Sequence, residues 1–330
     1  MSVVAFLLVA FMLAGYVVLD GYDLGVASIA PFLARNDRER LASMQAIGPF
    51  WNGNEVWLVA AGGILFALFP KGYASSFSGF YLPFIVVLWL LMGRGVALEL
   101  REHYDSALWH QFWDFCFTAA SALLILFFGV ALGNLIRGVP LGSAGYFMGT
   151  FAFLLNWYAL LVGLFALAAL ALHGATFMVL RVEGAPAERA RTMLPRVWVV
   201  ALVLFVLVTV ATFVTRSDAV FNPWIDVLGI LAAAAFVAVL FLARRRAEIA
   251  TFVASSAFLV LVLSVAAATM YPNLLRGYPD GRGSLSIFDL SPSPAALASA
   301  LGVSIAGMVI VIAYTTVLWR KLAGKVRVGE

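Results

Sequence analysis

The chain has 330 residues, of which 64% are hydrophobic and 12% charged, with a mean hydropathy of +1.01. Soluble domains carry about 25% charged residues, and this composition excludes one, because only a bilayer can hide so much apolar surface. The net charge of +4 is too small and too scattered to hold a nucleic acid. The single cysteine, Cys116, excludes an intrachain disulfide.

Crossing a hydrocarbon layer ~30 Å thick takes about 20 apolar helical residues. Taken in chain order, the apolar runs between charged or Pro/Gly-rich breaks give nine spans. They are Val3–Ala34, Pro49–Phe69, Phe77–Leu100, Gln111–Ile136, Phe147–Leu180, Val197–Val214, Ala219–Ala243, Ile249–Met270 and Ala295–Leu322. The pattern predicts an all-α polytopic membrane protein forming a single membrane domain over residues 1–330. The first run has no basic leader and no small-residue cleavage site, so it is expected to stay as a helix. The first and fifth runs exceed one crossing and are expected to tilt, protrude or break. Tyr271–Pro294, rich in Pro, Gly and Ser, is expected to be an external loop packed on the helices.

Loop charge orients these spans. With the N-terminus outside, the inner loops and tail hold Arg35, Arg38, Arg40, Arg101, Arg181, Arg189, Arg191, Arg196, Arg244, Arg245, Arg246, Arg320, Lys321, Lys325 and Arg327. The outer loops hold Lys71, Arg137, Arg216, Arg276 and Arg282. This excess of inner cations predicts an outside N-terminus and a cytoplasmic C-terminus.

Ionisable groups inside a span cost about 2.5–3.5 kcal/mol each on insertion scales, so they mark function or a protein-facing interior. Here they concentrate in the first third of the chain. Asp20 and Asp23 lie in the first run, three residues apart and so on one helix face, with Tyr16 a turn earlier. Two carboxylates in a low dielectric resist simultaneous ionisation, so the pair can share a proton, as a relay requires. The second span opens with Asn52, Asn54 and Glu55, too polar to face lipid. The third ends with Arg94, Glu99 and Arg101. At 1.5 Å per residue, Asp23, Glu55 and Arg94 fall roughly 10–18 Å from the inner surface, where charges from three helices can meet. A hydrated proton or cation entry path and a static salt-bridge knot both fit this pattern.

The later spans are poorer in charge. Asn156 and His173 stand in the fifth run and Asp226 in the seventh; His103 and His110 belong to an inner loop. One membrane histidine is too few for a chain that ligates several haems. The Glu-x-x-His pairs of a di-metal bundle are missing, and so is any phosphate-binding Gly fingerprint.

Several blocks carry a resemblance. They are Leu19-Asp20-Gly21-Tyr22-Asp23-Leu24-Gly25, Trp51-Asn52-Gly53-Asn54-Glu55-Val56-Trp57-Leu58, and Ala61-Gly62-Gly63 with Phe77-Ser78-Gly79-Phe80-Tyr81. Others are Phe128-Gly129-Val130-Ala131-Leu132-Gly133-Asn134-Leu135 with Gly138-Val139-Pro140, then His173-Gly174-Ala175, and Met270-Tyr271-Pro272-Asn273 with Ser284-Leu285-Ser286-Ile287. In this order, from end to end, they resemble subunit II of cytochrome bd-type quinol oxidases.

The resemblance implies nine transmembrane helices in two four-helix bundles plus one peripheral helix. It implies a heterodimer with a larger subunit I in the bacterial cytoplasmic (inner) membrane, with a possible small accessory subunit. Subunit I would ligate haem b and haem d, or b-type haems only, and bear the quinol-oxidation loop; subunit II ligates none. The complex would oxidise quinol and reduce O2 to water with protons drawn from the cytoplasm. A lipid or quinone bound in a groove of subunit II is also implied. Asp20 and Asp23 match the two first-helix aspartates of the family. Asn52 departs from the acidic residue many members carry there, and an amide cannot release and rebind a proton at neutral pH. The resemblance therefore leaves more of a proton path to Glu55 or Asp20, with Asp23, Arg94 and Glu99 beside them. From another class, a proton-coupled secondary transporter also buries carboxylates, but it tends to repeat interrupted helices in two halves. A purely structural scaffold for subunit I is the third reading.

Overall fold

The computed structural model describes residues 1–217 and 223–328. The helices are α1 (Ser2–Leu33), α2 (Asp37–Ile47), α3 (Trp51–Leu68), α4 (Pro70–Gly79), α5 (Tyr81–Leu100), α6 (Ala107–Arg137) and α7 (Phe151–Leu154). They continue as α8 (Trp157–Arg181), α9 (Ala185–Thr215), α10 (Pro223–Arg244), α11 (Glu248–Met270), α12 (Ile287–Leu290) and α13 (Pro294–Lys321). A short antiparallel pair, β1 (Asn273–Leu275) and β2 (Leu285–Ser286), lies between α11 and α12.

Among the described residues, eight helices are long and apolar enough to cross a membrane: α1, α5 with its short 3-10 extension, α6, α8, α9, α10, α11 and α13. The second apolar run forms α3, a helix of 18 residues whose first turns carry Asn52, Asn54 and Glu55, and it stands apart from those eight. The start of the seventh run at Ala219 lies outside the described residues.

Three boundaries differ from the sequence reading. The third run breaks at Phe80, because Pro83 suits the first turn of a new helix and not the interior of a continuing one. The fifth run breaks before Asn156, whose Oδ1 accepts from the Ala159 N–H at 3.0 Å and caps α8. The sixth helix starts earlier than Val197, at Ala185, so its polar first turns extend beyond the apolar stretch.

α1 runs through the centre, packed on α3, α6, α8 and α11. α8 is the most enclosed span and also packs on α6, α9 and α11. The α1–α8 contact is backbone on backbone. A Cβ at Gly25 would lie 2.1 Å from the Leu170 carbonyl oxygen, and one at Gly174 would lie 2.4 Å from Gly25 C. α13 packs on α3, and its Trp319 meets Tyr22 of α1, Phe177 of α8 and Phe252 of α11.

Ion pairs gather one set of helix ends. Arg101 pairs with Asp37, Glu102 and Asp114, and Arg40 reaches the same Asp114 at 2.9 Å. Arg189 grips both oxygens of Glu39 at 2.8 Å. Glu248 takes Arg191 and, at 2.7 Å, Lys325 of the tail. The C-terminal ends of α1, α5 and α8 thus share a face with the N-terminal ends of α6, α9 and α11. The opposite face holds the 271–290 segment, whose Leu274, Leu275, Leu285, Ile287 and Leu290 enter the core beside α1. There Ser291 donates to Ser2 at 2.7 Å. Arg216 joins the carbonyls of Ile136 and Thr269, at 2.8 and 2.9 Å, capping the ends of α6 and α11.

Candidate functional site

Five polar residues of the first third, Asp20, Asp23, Asn54, Glu55 and Arg94, come together between α1, α3 and α5. Asp20, on α1, is fully buried and accepts from Arg94 Nη2 of α5 at 2.7 Å. The same nitrogen donates to Glu55 of α3 at 3.0 Å. Arg94 is itself 1% exposed, whereas the Glu55 side chain is 26% exposed and reaches the outer surface. Gly95, beside Arg94, leaves room for the Trp51 ring of α3: a Cβ there would lie 3.2 Å from it.

Asp23 is held differently. Arg94 makes no hydrogen bond to it among the described residues; Asn54 Nδ2 does, at 2.7 Å. That nitrogen also lies 2.8 Å from the Tyr22 hydroxyl and 3.2 Å from the Leu19 carbonyl. Asp23 Oδ1 and the Nε and Nη1 of Arg94 are buried without a hydrogen-bond partner among the described residues. Buried polar atoms of this kind are ordinarily served by water, so the cluster has the chemistry of a hydrated pocket.

Charge counting sharpens this. Three carboxyls, Asp20, Asp23 and Glu55, gather around one guanidinium. Full ionisation would leave two uncompensated negative charges among apolar helices, which is expensive.

Of the residues singled out in the sequence, Asp20, Glu55 and Arg94 meet directly, with Asp23 one turn away on α1. Asn52 and Glu99 do not join them. Asn52 is exposed on the outer side of α3, and Glu99 is exposed near the end of α5, where its backbone carbonyl meets His103 Nδ1. The residue that does hold Asp23, Asn54, was recognisable in sequence only as a group too polar for lipid. Helical spacing gives the reason: Asn54 is buried while Asn52, two positions earlier, points away.

His173 forms a separate polar cluster on the α8 side of α1. One ring nitrogen lies 2.8 Å from Ser255 Oγ and the other 3.0 Å from the Val18 carbonyl, and the ring stacks on Phe252. Both nitrogens are therefore engaged within the chain. Among the described residues no group of three or more His, Cys, Asp or Glu is arranged to hold a metal ion.

The side of α3 and α5 turned away from α1 is largely apolar and exposed. Asn52, Glu55, Val56 and Val59 follow helical spacing along α3, and Val59 is 74% exposed. On α5 the large side chains Leu88, Trp89, Met92 and Val96 are exposed as well.

The chain as a whole is similar to known proteins. The family model described as cytochrome bd terminal oxidase subunit II matches residues 1–322. The cytochrome bd-I ubiquinol oxidase subunit 2 of Escherichia coli strain K12 is 32% identical over 97% of this chain and 93% of its own length. The cytochrome bd ubiquinol oxidase subunit 2 of Bacillus subtilis is 33% identical over 82% of this chain and 80% of its own. In structure, the chain resembles one from the bd oxidase of Geobacillus thermodenitrificans, with a TM-score of 0.80, 19% identity and 97% of each chain covered. A match to the family model over nearly the full length, with sequence relatives above 30% identity, makes this chain a member of the cytochrome bd terminal oxidase subunit II family.

Proposed function

We propose that this chain is the subunit that supports a haem-bearing subunit I in a quinol-oxidising, O2-reducing complex, and that its buried carboxylates line a proton and water path. The observation that carries the reading is the excess of carboxyl groups over cations around Arg94, with Glu55 reaching from that buried cluster to the outer surface. Carboxyls that cannot all ionise, beside unpartnered buried polar atoms, suit the uptake and release of protons.

The haems of such a complex do not fit this chain's histidines. His173 has both nitrogens committed, and His103 and His110 sit at the charged end near Glu99 and Asp37. Haem b and haem d, or b-type haems alone, belong on subunit I. The outer side of α3 and α5 is the surface on which subunit I packs: an exposed amide and a part-exposed carboxylate amid large apolar residues suit a protein partner better than lipid tails.

Nine crossings, with α3 as the ninth, accord with the gathering of alternate helix ends on two faces. The packing of α1 on α3 and α6, of α5 on α6, of α8 on α9 and of α10 on α11, with α13 set mainly on α3, supports two four-helix bundles with a peripheral helix. Arginine excess on the ion-paired face supports a cytoplasmic C-terminus and an outside N-terminus in a bacterial inner membrane. A cavity of about 350 Å³ between α1, α2 and α6, with Arg40, Asp114 and Gln111 at its polar side and Val26, Pro31 and Phe117 at its apolar side, suits a lipid or quinone.

The test is to purify a tagged form of the chain from its native host in mild detergent and record a reduced-minus-oxidised visible spectrum. A larger co-purifying membrane subunit with b- and d-type, or only b-type, haem bands is the expected result. Assembled, fully haem-loaded Asp20→Asn and Glu55→Gln variants should then consume oxygen with quinol at about a tenth of the normal rate or less. A colourless chain that is stable alone would overturn the oxidase reading. Full-rate variants would leave only a scaffold.

A further inference from the structure

Asp23 and Asp20 are three residues apart yet depend on different chemistry. Asp20 has a guanidinium; Asp23, 1% exposed, receives its hydrogen bond from the neutral amide of Asn54. Asn54 is 2% exposed. Its Nδ2 carries two hydrogens but has three oxygen atoms within 3.2 Å: Asp23 Oδ2, Tyr22 Oη and the Leu19 carbonyl. An ionised Asp23 suits this arrangement, with one hydrogen for the carboxylate and one for Tyr22 or Leu19.

A proton on Asp23 changes the count. On Oδ2 it would face the Asn54 N–H donor across 2.7 Å, donor against donor. On Oδ1 it would sit on an atom without an acceptor among the described residues, which is costly for a buried hydroxyl. Turning the amide end for end removes both conflicts, at the loss of the long 3.2 Å bond to the Leu19 carbonyl, which keeps its partner within the α1 helix. Asn54 Oδ1 then accepts from the Asp23 O–H and from the Tyr22 O–H. The terminal torsion of asparagine is soft and roughly two-fold, so the turn needs no backbone movement.

We propose that Asn54 is the positioning residue for Asp23, and that its side-chain amide reverses as Asp23 gains and loses a proton, with the Tyr22 hydroxyl following. This rests on the proton-path reading above. The only covalent change is the O–H bond of Asp23: a hydronium gives up its proton and leaves as water, and the reverse step returns the carboxylate. The titratable and charged groups around Asp23 are Asp20, Tyr16 and Tyr22 on α1, Glu55 on α3 and Arg94 on α5. On α8, His173 lies beyond the Tyr22 ring and is tied to Ser255 of α11 and to Val18.

The experiment uses the purified, fully haem-loaded complex carrying Asp23→Asn, Asn54→Leu, Asn54→Gln or the pair Asp23→Asn/Asn54→Leu. Quinol-driven oxygen uptake and infrared difference spectra across pH are recorded for each. Asn54→Leu should slow turnover about tenfold, as expected for a hydrogen bond to a charged group, and Asn54→Gln should regain part of it. The paired variant should be no slower than Asp23→Asn alone, because Asn54 acts through Asp23. The carboxylic-acid carbonyl band that Asp23→Asn abolishes should shift in Asn54→Leu. Normal turnover in Asn54→Leu alongside a slow Asp23→Asn overturns the role of Asn54 and leaves the proton path standing. Normal turnover in Asp23→Asn takes Asp23 out of the path and overturns the proposal, whereas the proton path itself stands or falls with Asp20→Asn and Glu55→Gln. If Asn54→Leu does not assemble, Asn54→Gln decides: an unmoved band and a normal rate overturn the proposal.

Discussion

Arg94 is the residue on which the buried cluster turns. One of its nitrogens, Nη2, serves both Asp20 and Glu55, so removing the side chain leaves charged carboxyls without compensation. Breaking a buried pair from one side costs about 3–5 kcal/mol. Arg94→Met should therefore lower both the yield of assembled protein and its thermal midpoint in detergent. Adding Asp20→Asn to Arg94→Met should recover part of both, since the orphaned charge is gone; a paired variant worse than either single one would contradict this account. A second residue-level test lies outside the membrane layer. Two hydrogen bonds from Arg189 hold the Glu39 carboxyl down at about 2, against an ordinary value near 4.5. A carboxyl lowered on folding stabilises the fold above its unfolded value, and that stability drains away as pH falls toward the folded value. Thermal stability should thus fall between pH 4.5 and about 2, and Glu39→Gln should flatten that part of the profile.

At the level of elements, the contact between α1 and α8 sets how close the acidic turn of α1 lies to its neighbours. With no room for a Cβ at Gly25 or Gly174, Gly25→Ala must push the helices apart. Overpacking of this kind costs about 1–3 kcal/mol, which should appear as a lower thermal midpoint of the purified protein. Gly302 on α13 is the control, because a Cβ there meets nothing within 4 Å. Gly302→Ala should leave the midpoint unchanged or raise it slightly, since alanine is the better helix former by about 1 kcal/mol. Pro83 and Asn156 show how short signals redraw elements: each marks the first turn of a helix inside what hydropathy reads as one apolar run. The Asn156 signal was present in the sequence as a polar residue within the run. Its capping role depends on Asn134 of α6, whose Oδ1 accepts from Asn156 Nδ2 at 2.9 Å, and no local pattern could supply that partner.

For the whole molecule, the ion-paired face carries the prediction. A fluorescent protein fused after the C-terminus should fluoresce in cells, and a cysteine placed in the 276–284 segment should react with a membrane-impermeant thiol reagent added from outside. The tail belongs to the same face: Val326 N–H donates to the Arg181 carbonyl at 2.8 Å, and the Val326 carbonyl accepts from Glu183 at 2.9 Å. Truncation after Leu322 removes these bonds along with the Lys325–Glu248 pair, and should speed proteolysis at the α8–α9 junction without changing the haem spectrum.

Sequence by itself determined the membrane class, the helical architecture and the family, because each depends on summed or repeated features: hydropathy over whole runs, and short motifs kept in order. It also brought Asp20, Asp23, Glu55 and Arg94 to notice, because charge inside an apolar run is conspicuous whatever surrounds it. Tertiary structure alone decided which of those charges meet. Arg94 turns to Asp20 and Glu55 and leaves Asp23 to Asn54, while Asn52 and Glu99 face outward. That choice follows from the rotation of α3 and α5 about their own axes. Rotation is set by packing against α1 and by the small residues that let helices approach, and a linear pattern of residues does not contain it.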